Sequence, residues 1–149
     1  MHENAYETVA LKHPDVSDAE RTLVGRLATA DSVVEVGIGN RPDVAAALAD
    51  RGVDVTATDI TPRSVPDGVI FVEDDVTDPE LTVYEGTDVV FARNLPPELH
   101  GPAREVARRV GADFWFTTLG GDQPAVPVER EQLDGRVTLF RAVDGPGGR

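Results

Sequence analysis

The sequence contains no cysteine and only one lysine, Lys12, among its 149 residues. Without cysteine the chain has neither a disulfide nor a thiolate metal site, and its redox compartment cannot be inferred from cysteine content. It also lacks any run of about 18 apolar residues, the length that a membrane-spanning helix requires. Acidic residues near the N-terminus are unlike the basic start of a signal peptide. We therefore expect a cytoplasmic protein that does not span a membrane.

Basic residues are scarce, with 14 lysines and arginines against 27 aspartates and glutamates and a formal net charge of −13. Such a chain repels itself at low salt, whereas at ~1 M salt the Debye length falls to about 3 Å. Acid excess with almost no lysine predicts the protein of an extreme halophile. The alternative is an acidic surface that repels nucleic acid. On either interpretation nucleic-acid binding is not indicated, and the charge does not specify a substrate.

The length fits one domain over residues 1–149. We expect a loose lead-in over residues 1–15, with a possible helical turn over 5–11 and with His2 and His13 in solvent, and a flexible glycine-rich tail over 145–149. Ser17 and Glu20 have the spacing of a capping box, which predicts a helix from there to about Thr29.

A buried strand over 33–36 runs into a glycine turn with Gly37 and Gly39, and a helix follows with Pro42 near its first turn. Strand, glycine turn and helix in this order form a nucleotide-binding corner. The alternative is a turn that merely connects strand and helix. Pro42 stands where a dinucleotide fingerprint has its third glycine, which disfavours a nicotinamide cofactor.

Acidic residues follow the next two predicted strands. A β-branched run over 53–57 leads to Asp59, 22 residues after Gly37 (59 − 37), close to the ~20 expected for a carboxylate that accepts hydrogen bonds from ribose hydroxyls. A strand over 69–72 leads to an acidic cluster that includes Asp75. The alternatives are an ordinary loop aspartate and a solvated acidic turn.

The fourth predicted strand, over 88–92, precedes Asn94, two prolines and His100. The prolines are also compatible with simply starting the next helix, and His100 is either a base or a half-exposed polar residue. A fifth strand is predicted over 113–119, and a last one over 137–142, antiparallel at the edge, where a homodimer could form. Together these runs predict an α/β domain with a mainly parallel sheet.

The segment from Glu35 to Asn40 resembles motif I of the class I S-adenosylmethionine-dependent methyltransferases, although Asn40 and Arg41 replace the third glycine often seen there. The resemblance implies a three-layer Rossmann-like fold and S-adenosylmethionine as cofactor. It also implies that Glu35 orders the loop near the methionine end of the cofactor, and that Gly37, Gly39 and Asn40 lie beneath it.

The same resemblance gives roles to residues further along the chain. Asp59 would bind the ribose, Asp75 the adenine amino group, and Val76 would lie against the adenine ring. Asn94 resembles the Asn of the Asn/Asp-Pro-Pro-aromatic motif of amino-methylating enzymes and would be catalytic. Leu95 interrupts that motif and no aromatic residue follows. No residue set indicates a metal site.

The chain most closely resembles an uncharacterised family of small archaeal proteins with this fold, in which Pro-Pro-Glu-Leu also follows strand four; this implies fold and cofactor only. Three hypotheses remain open. The first is a small methyltransferase acting on an unknown polar acceptor. The second is a non-catalytic protein that binds S-adenosylmethionine or another nucleoside, or that serves as a partner subunit. The third is a nicotinamide-dependent enzyme.

Overall fold

The computed structural model describes residues 16–144, so the lead-in with His2 and His13 and the C-terminal tail lie outside the described residues. The helices are α1 Asp18–Leu27, α2 Asp43–Asp50 and α3 His100–Val110, with short 3-10 turns at Leu81–Val83 and Pro97–Leu99. The strands are β1 Ser32–Val36, β2 Asp54–Asp59, β3 Val69–Glu73, β4 Val89–Ala92, β5 Asp113–Phe116, β6 Val128–Gln132 and β7 Thr138–Ala142. None of the described helices is long and apolar enough to cross a bilayer.

All seven strands form one sheet in the order β3-β2-β1-β4-β5-β7-β6. The strands from β1 to β5 pair in parallel, whereas β7 pairs antiparallel with both β5 and β6. The prediction of a mainly parallel α/β sheet is therefore confirmed. The carboxyl ends of β1 to β5 all lie at one edge of the sheet, which is where ligands bind in folds of this kind.

The prediction of an antiparallel strand at the sheet edge is confirmed, but the outermost strand is β6, and β7 lies between it and β5. The strand β6 was not predicted, since its sequence Val-Glu-Arg-Glu-Gln has no apolar alternation. Its charged side chains are of the type that discourages pairing with another sheet edge. The edge open to a second copy is therefore that of β6, and the homodimer stays a prediction. The predicted fifth strand also ends earlier, at Phe116, and Leu119 is 66% exposed.

The hydrophobic core is divided between the two faces of the sheet. Helices α1 and α2 pack on one face, against side chains that include Val33, and α3 packs on the other, against side chains that include Val34. Neighbouring residues of β1 thus serve opposite faces, as strand geometry requires. The three-layer arrangement is confirmed, and because β1 is covered on both sides its carboxyl end has a fixed position.

Helix α1 begins with the predicted capping box. The Ser17 hydroxyl accepts a hydrogen bond from the Glu20 amide at 3.1 Å, and the Glu20 carboxylate accepts one from the Ser17 amide at 2.9 Å. The helix ends at Leu27, two residues before the predicted end at Thr29. This cap fixes the start of α1. Glu20 of the same helix also lies among the charged side chains at the carboxyl edge of the sheet.

We expect Ser17→Ala to lower the free energy of unfolding by about 1 kcal/mol, because the helix loses the acceptor for the Glu20 amide. The matched control is Ser17→Asp, which keeps a side-chain acceptor at the cap. Denaturant unfolding in multimolar KCl measures both. Equal stability of the alanine variant and the wild type would contradict the prediction.

Candidate functional site

Two adjoining clefts open at the carboxyl edge of the sheet. The apolar cleft, of about 220 Å³, lies between Gly37, Asp59, Val76 and the loop after β4. The polar cleft, of about 320 Å³, lies between α1 and the residues that follow β4 and β5. Arg93 and Asn94 line both. Ligand sites usually measure about 300–1,000 Å³. The polar cleft alone lies at the lower end of this range, and the two adjoining clefts together have room for one extended small molecule.

The glycine loop is held against the end of β2. Gly37 and Gly39 have positive φ angles of 68° and 60°, a conformation that favours glycine. The amides of Gly37 and Ile38 donate to the Thr58 carbonyl at 2.9 and 3.0 Å. Gly37 lines the apolar cleft, whereas Gly39 and the predicted cofactor residue Asn40 are not among its walls.

Asp59 is buried at the end of β2 and is already engaged. Its Oδ2 accepts from the Gly39 amide at 2.8 Å and its Oδ1 from the Thr61 amide at 3.1 Å. The Arg63 Nε lies 3.4 Å from Oδ2. A carboxylate has about four lone-pair positions, so a ribose diol has full access to Asp59 only if the Arg63 side chain moves away.

Asp75 and Val76 lie in the apolar cleft, together with the side chain of Ile60, which is 69% exposed. Asp75 Oδ1 accepts hydrogen bonds from the amide and the hydroxyl of Thr77, at 2.9 and 2.7 Å. These bonds lower the pKa of Asp75 below its ordinary value. The carboxylate is therefore charged, and its Oδ2 is not used by Thr77.

The neighbouring Asp74 has a different task. Its carboxylate accepts from the Tyr84 hydroxyl at 2.7 Å and from the Glu80 amide at 2.9 Å. Burial, with the bond to Asp74, raises the pKa of Tyr84 above its ordinary value, so the phenol stays protonated and donates. Asp74 thus stabilises the loop after β3 through these two hydrogen bonds. Of the two aspartates, Asp75 is the one whose second carboxylate oxygen is available to a ligand.

Glu35 lies at the centre of a charge cluster that consists of Glu20, Glu35, Arg41, Asp43 and Arg93. Its side chain is 2% exposed, and its Oε2 lies 3.4 Å from Arg93 Nε. Its Oε1 is buried and has no hydrogen-bond partner among residues 16–144. Burial raises the pKa of Glu35 to about 7, although the charge of Arg93 acts in the opposite direction.

Arg93 connects this cluster to the elements around it. It donates to Glu20 at 2.8 Å, to Asp43 at 3.3 Å and to the backbone carbonyl of Arg41. Glu35 therefore orders the glycine loop indirectly, because the guanidinium that it contacts also holds that loop. Sequence reasoning missed Arg93; the only local signal was an arginine between strand four and Asn94 in a chain rich in acids.

Asn94 is the only non-glycine residue with a positive φ, 53°, among those the structure describes. Its amide donates to the Thr117 hydroxyl at 2.9 Å, and the next amide, of Leu95, donates to the Thr117 carbonyl at 2.9 Å. Asparagine tolerates this left-handed conformation better than most residues. The turn leaves the Asn94 side chain between the two clefts, with no hydrogen bond to another described residue.

The expectation of a half-exposed His100 is wrong, since the ring is fully buried at the start of α3. Its Nε2 lies 2.8 Å from the Leu95 carbonyl, and its Nδ1 accepts from the Ala125 amide at 3.0 Å. Both nitrogens are thus engaged in holding two loops together, so the geometry gives no support to a general base here. The 3-10 turn directly before α3 directs His100 towards Phe116, 4.4 Å from its ring.

Residues 16–144 contain no group of three or more side chains that would hold a metal ion. The side chains at this edge are carboxylates, the three arginines Arg41, Arg63 and Arg93, and the Asn94 amide, beside the glycine loop. Both clefts combine charged and apolar side chains: the apolar cleft has Asp59 and Asp75 beside Val76, and the polar cleft has Glu20 and Arg41 beside Leu23.

Solved structures with this architecture define the class of fold. The chain superposes on a putative methyltransferase, yhhF, from Escherichia coli with a TM-score of 0.58 and 15% identity, over 87% of this chain and 86% of that one. The N-terminal domain of EvdMO1, solved in the presence of S-adenosylhomocysteine and D-fucose, gives 0.55 and 17%, over 87% and 68%. A putative zinc-dependent alcohol dehydrogenase from Rhodobacter sphaeroides gives 0.52 and 17%, over 83% and 57%. The fold is thus Rossmann-like, as in class I methyltransferases.

Sequence comparison gives the family. The chain belongs to the Uncharacterised protein family (UPF0146), whose model matches residues 18–144. A member from Halobacterium salinarum is 54% identical over 123 residues, which cover 83% of this chain and 95% of that protein. The predicted archaeal family and methyltransferase-like fold are confirmed, and the family includes proteins of a halophile.

We expect the stability difference between Glu35→Gln and the wild type to depend on pH. With a pKa of about 7 in the folded protein and an ordinary value of 4.5, the wild type loses stability as pH rises through this range, because the folded state holds its proton more tightly. The loss approaches about 3 kcal/mol. Denaturant unfolding of both proteins at pH 4.5 and pH 8 measures it; a constant difference would contradict the raised pKa.

Proposed function

We propose that this protein binds S-adenosylmethionine across the apolar and polar clefts and is a small methyltransferase. The observation that carries the proposal is the convergence of Gly37, Asp59, Asp75 and Val76 on one cleft at the carboxyl ends of the parallel strands. These residues lie at the carboxyl ends of three neighbouring strands, β1, β2 and β3, and their types suit a nucleoside. The solved methyltransferases of this fold support the choice of cofactor.

The apolar cleft fits the adenosine part. Ile60 and Val76 offer aliphatic contacts to a planar base, and the free Oδ2 of Asp75 is suited to accept from an amino group. Asp59 would accept from the ribose hydroxyls once Arg63, which is 35% exposed and 3.4 Å away, turns out to solvent. The apolar cleft therefore contains a residue for each part of the adenosine, and binding of the ribose requires the Arg63 side chain to move.

The polar cleft fits the amino-acid end of the cofactor. The Arg41 side chain is 60% exposed and able to reach a carboxylate. The Glu20 carboxylate lines the same cleft, and it would accept from an ammonium group in addition to its bonds from Ser17, Arg41 and Arg93. Arg93 lines both clefts, and its bond to the Arg41 carbonyl holds the glycine loop in place. Glu35 lines neither cleft and contacts Arg93 at 3.4 Å from beneath them.

When bound, the cofactor supplies a methyl group that is already activated on a sulfonium. The chain then has to position an acceptor, and such orientation accounts for much of the rate in reactions of this type. Asn94 stands between the two clefts, and its side-chain oxygen is suited to accept a hydrogen bond from an N–H or O–H of the acceptor. We infer that this holds the nucleophile in line with the methyl group.

The main alternative is a protein that binds the cofactor without catalysis. Leu95 between Asn94 and the prolines favours it, because the bond between the Leu95 amide and Thr117 gives this residue a structural role. A nicotinamide cofactor is disfavoured, since Pro42 is the residue that precedes α2, where the dinucleotide fingerprint needs glycine. We also propose that the protein works in the cytoplasm of a halophile, supported by its charge of −13 and its relative from Halobacterium salinarum.

We expect S-adenosylhomocysteine at 100 times its dissociation constant to stabilise the protein by about 2.7 kcal/mol in multimolar KCl. Asp75→Asn should weaken this binding, because the amide turns an NH2 group towards the cleft when its oxygen keeps the bond to Thr77. Asp67→Asn, the same change at an exposed loop position, is the control. Thermal unfolding with and without ligand, and with NAD for comparison, measures the shifts. No shift from S-adenosylmethionine or its product would refute the proposed function.

We expect Asn94→Gly to abolish methyl transfer and to leave S-adenosylhomocysteine binding intact, because glycine keeps the φ of 53° while the amide is lost. Asn94→Ala, by contrast, should also destabilise the fold by about 1 kcal/mol. Transfer of labelled methyl groups to a panel of small amines and acids measures activity. If the wild type binds the cofactor and transfers nothing to any of them, the binding-protein alternative is favoured.

A further inference from the structure

A third depression lies at the same edge of the sheet, beside the polar cleft. It measures about 440 Å³ and lies between the loop after β5, with Gly120 and Gly121, and the β6–β7 hairpin, with Arg130 and Arg136. We call it the arginine groove. No residue of the apolar or the polar cleft lines it, so it is a separate surface and not an extension of the cofactor clefts.

Its two arginines differ from those at the clefts. Arg41, Arg63 and Arg93 are all within ion-pair distance of carboxylates. Among residues 16–144, neither Arg130 nor Arg136 forms such a pair, and the contact recorded for Arg130 is with the Phe140 ring, 5.5 Å from its centroid.

The lining of the groove therefore carries an excess of positive charge. It contains two arginines and one acid, Asp122, in a chain whose net charge is −13. Other described arginines, such as Arg51 and Arg109, also have no ion pair, so the groove is distinguished by two such guanidinium groups converging on one depression. Guanidinium groups recognise carboxylate and phosphate oxygens through paired hydrogen bonds.

The two turns that form the arginine groove are each stabilised by internal hydrogen bonds. The Gln132 side chain donates to the carbonyls of Gly135 and Val137, at 3.2 and 3.1 Å, and accepts from the Thr138 hydroxyl at 2.9 Å. These bonds order the turn that carries Arg136. Across the groove, the Thr118 hydroxyl donates to the Asp122 carbonyl at 2.9 Å and closes the glycine loop. A ligand would therefore meet walls that need little ordering on binding.

The groove also lies next to the residues assigned to the acceptor. Thr118 and Arg136 of the groove directly adjoin Thr117 and Val137, which line the polar cleft with Asn94. A small molecule seated between the arginines can therefore extend towards Asn94 along the carboxyl edge of the sheet. The apolar cleft lies at the ends of β1 to β4, the polar cleft reaches from α1 to the residues beside β5 and β7, and the groove lies at the ends of β5, β7 and β6.

We propose that the arginine groove binds an anionic group, a phosphate or a carboxylate, of the small molecule that receives the methyl group. This assignment of substrate class rests on the proposed function. Arg130 and Arg136 hold the anion, and the reactive N–H or O–H of the same molecule lies at Asn94. The groove thereby selects acceptors by charge at a distance from the reacting atom.

The test is a titration of the folded protein with inorganic phosphate, and separately with acetate, replacing chloride at constant ionic strength. Amide resonances of Gly120 and Gly121 report binding. We expect saturable shifts in the wild type and an affinity at least about tenfold lower in the Arg130→Gln, Arg136→Gln double variant. Arg109→Gln, the same change at an exposed position outside the groove, should bind like the wild type. Saturation by phosphate indicates a phosphorylated acceptor, and saturation by acetate alone indicates a carboxylate.

Shifts of equal size and affinity in the double variant would overturn the proposal, as would no saturable shift with either anion. S-adenosylhomocysteine stabilisation is measured on the same proteins and should be equal in all three. If the anion binds and S-adenosylhomocysteine does not, the proposed function fails and the groove remains an anion site. If S-adenosylhomocysteine binds and neither anion does, only the present proposal fails.

Discussion

The buried guanidinium of Arg93 is the constraint on which the site depends. Its side chain is only 13% exposed, and a charge so largely desolvated needs carboxylates around it; Glu20, Glu35 and Asp43 come from α1, β1 and α2 to supply them. The same guanidinium holds the glycine loop through the Arg41 carbonyl. Asn94 follows Arg93 directly in the chain. Arg93 therefore fixes three things together: how α1 and α2 pack against the sheet, the shape of the glycine loop, and the position of the proposed catalytic amide of Asn94.

Features set by neighbouring residues were predictable from the sequence. The Ser17 cap, the strand before Gly37 and the acid at the end of β2 each depend on a few adjacent residues, and each was located correctly. Arg93 was missed because its partners lie 50 to 73 residues away in the chain. His100 was misjudged for the same reason, since a bond to Ala125, 25 residues away, accounts for its burial. The charged strand β6 has no apolar alternation, and only its pairing with β7 identifies it.

The two clefts share a wall that is formed by Arg93 and Asn94. The apolar cleft contains the side chains that suit a base and a ribose, and the polar cleft contains charges that suit an amino acid. Arg93 and Asn94 stand where these meet, so a sulfonium between the two ends would face the Asn94 amide. Asp59 complicates the fit, because loop amides and Arg63 already use most of its acceptor capacity.

The arginine groove on the β6–β7 hairpin and the apolar cleft are formed by different parts of the chain. Residues from Val36 to Leu99 form the apolar cleft, whereas the arginine groove is formed entirely by residues 118–140. Replacement of side chains on the groove face of this hairpin therefore leaves the loops after β1 to β4 unchanged. The two surfaces are built from separate stretches of chain, so either one is open to substitution without rebuilding the other.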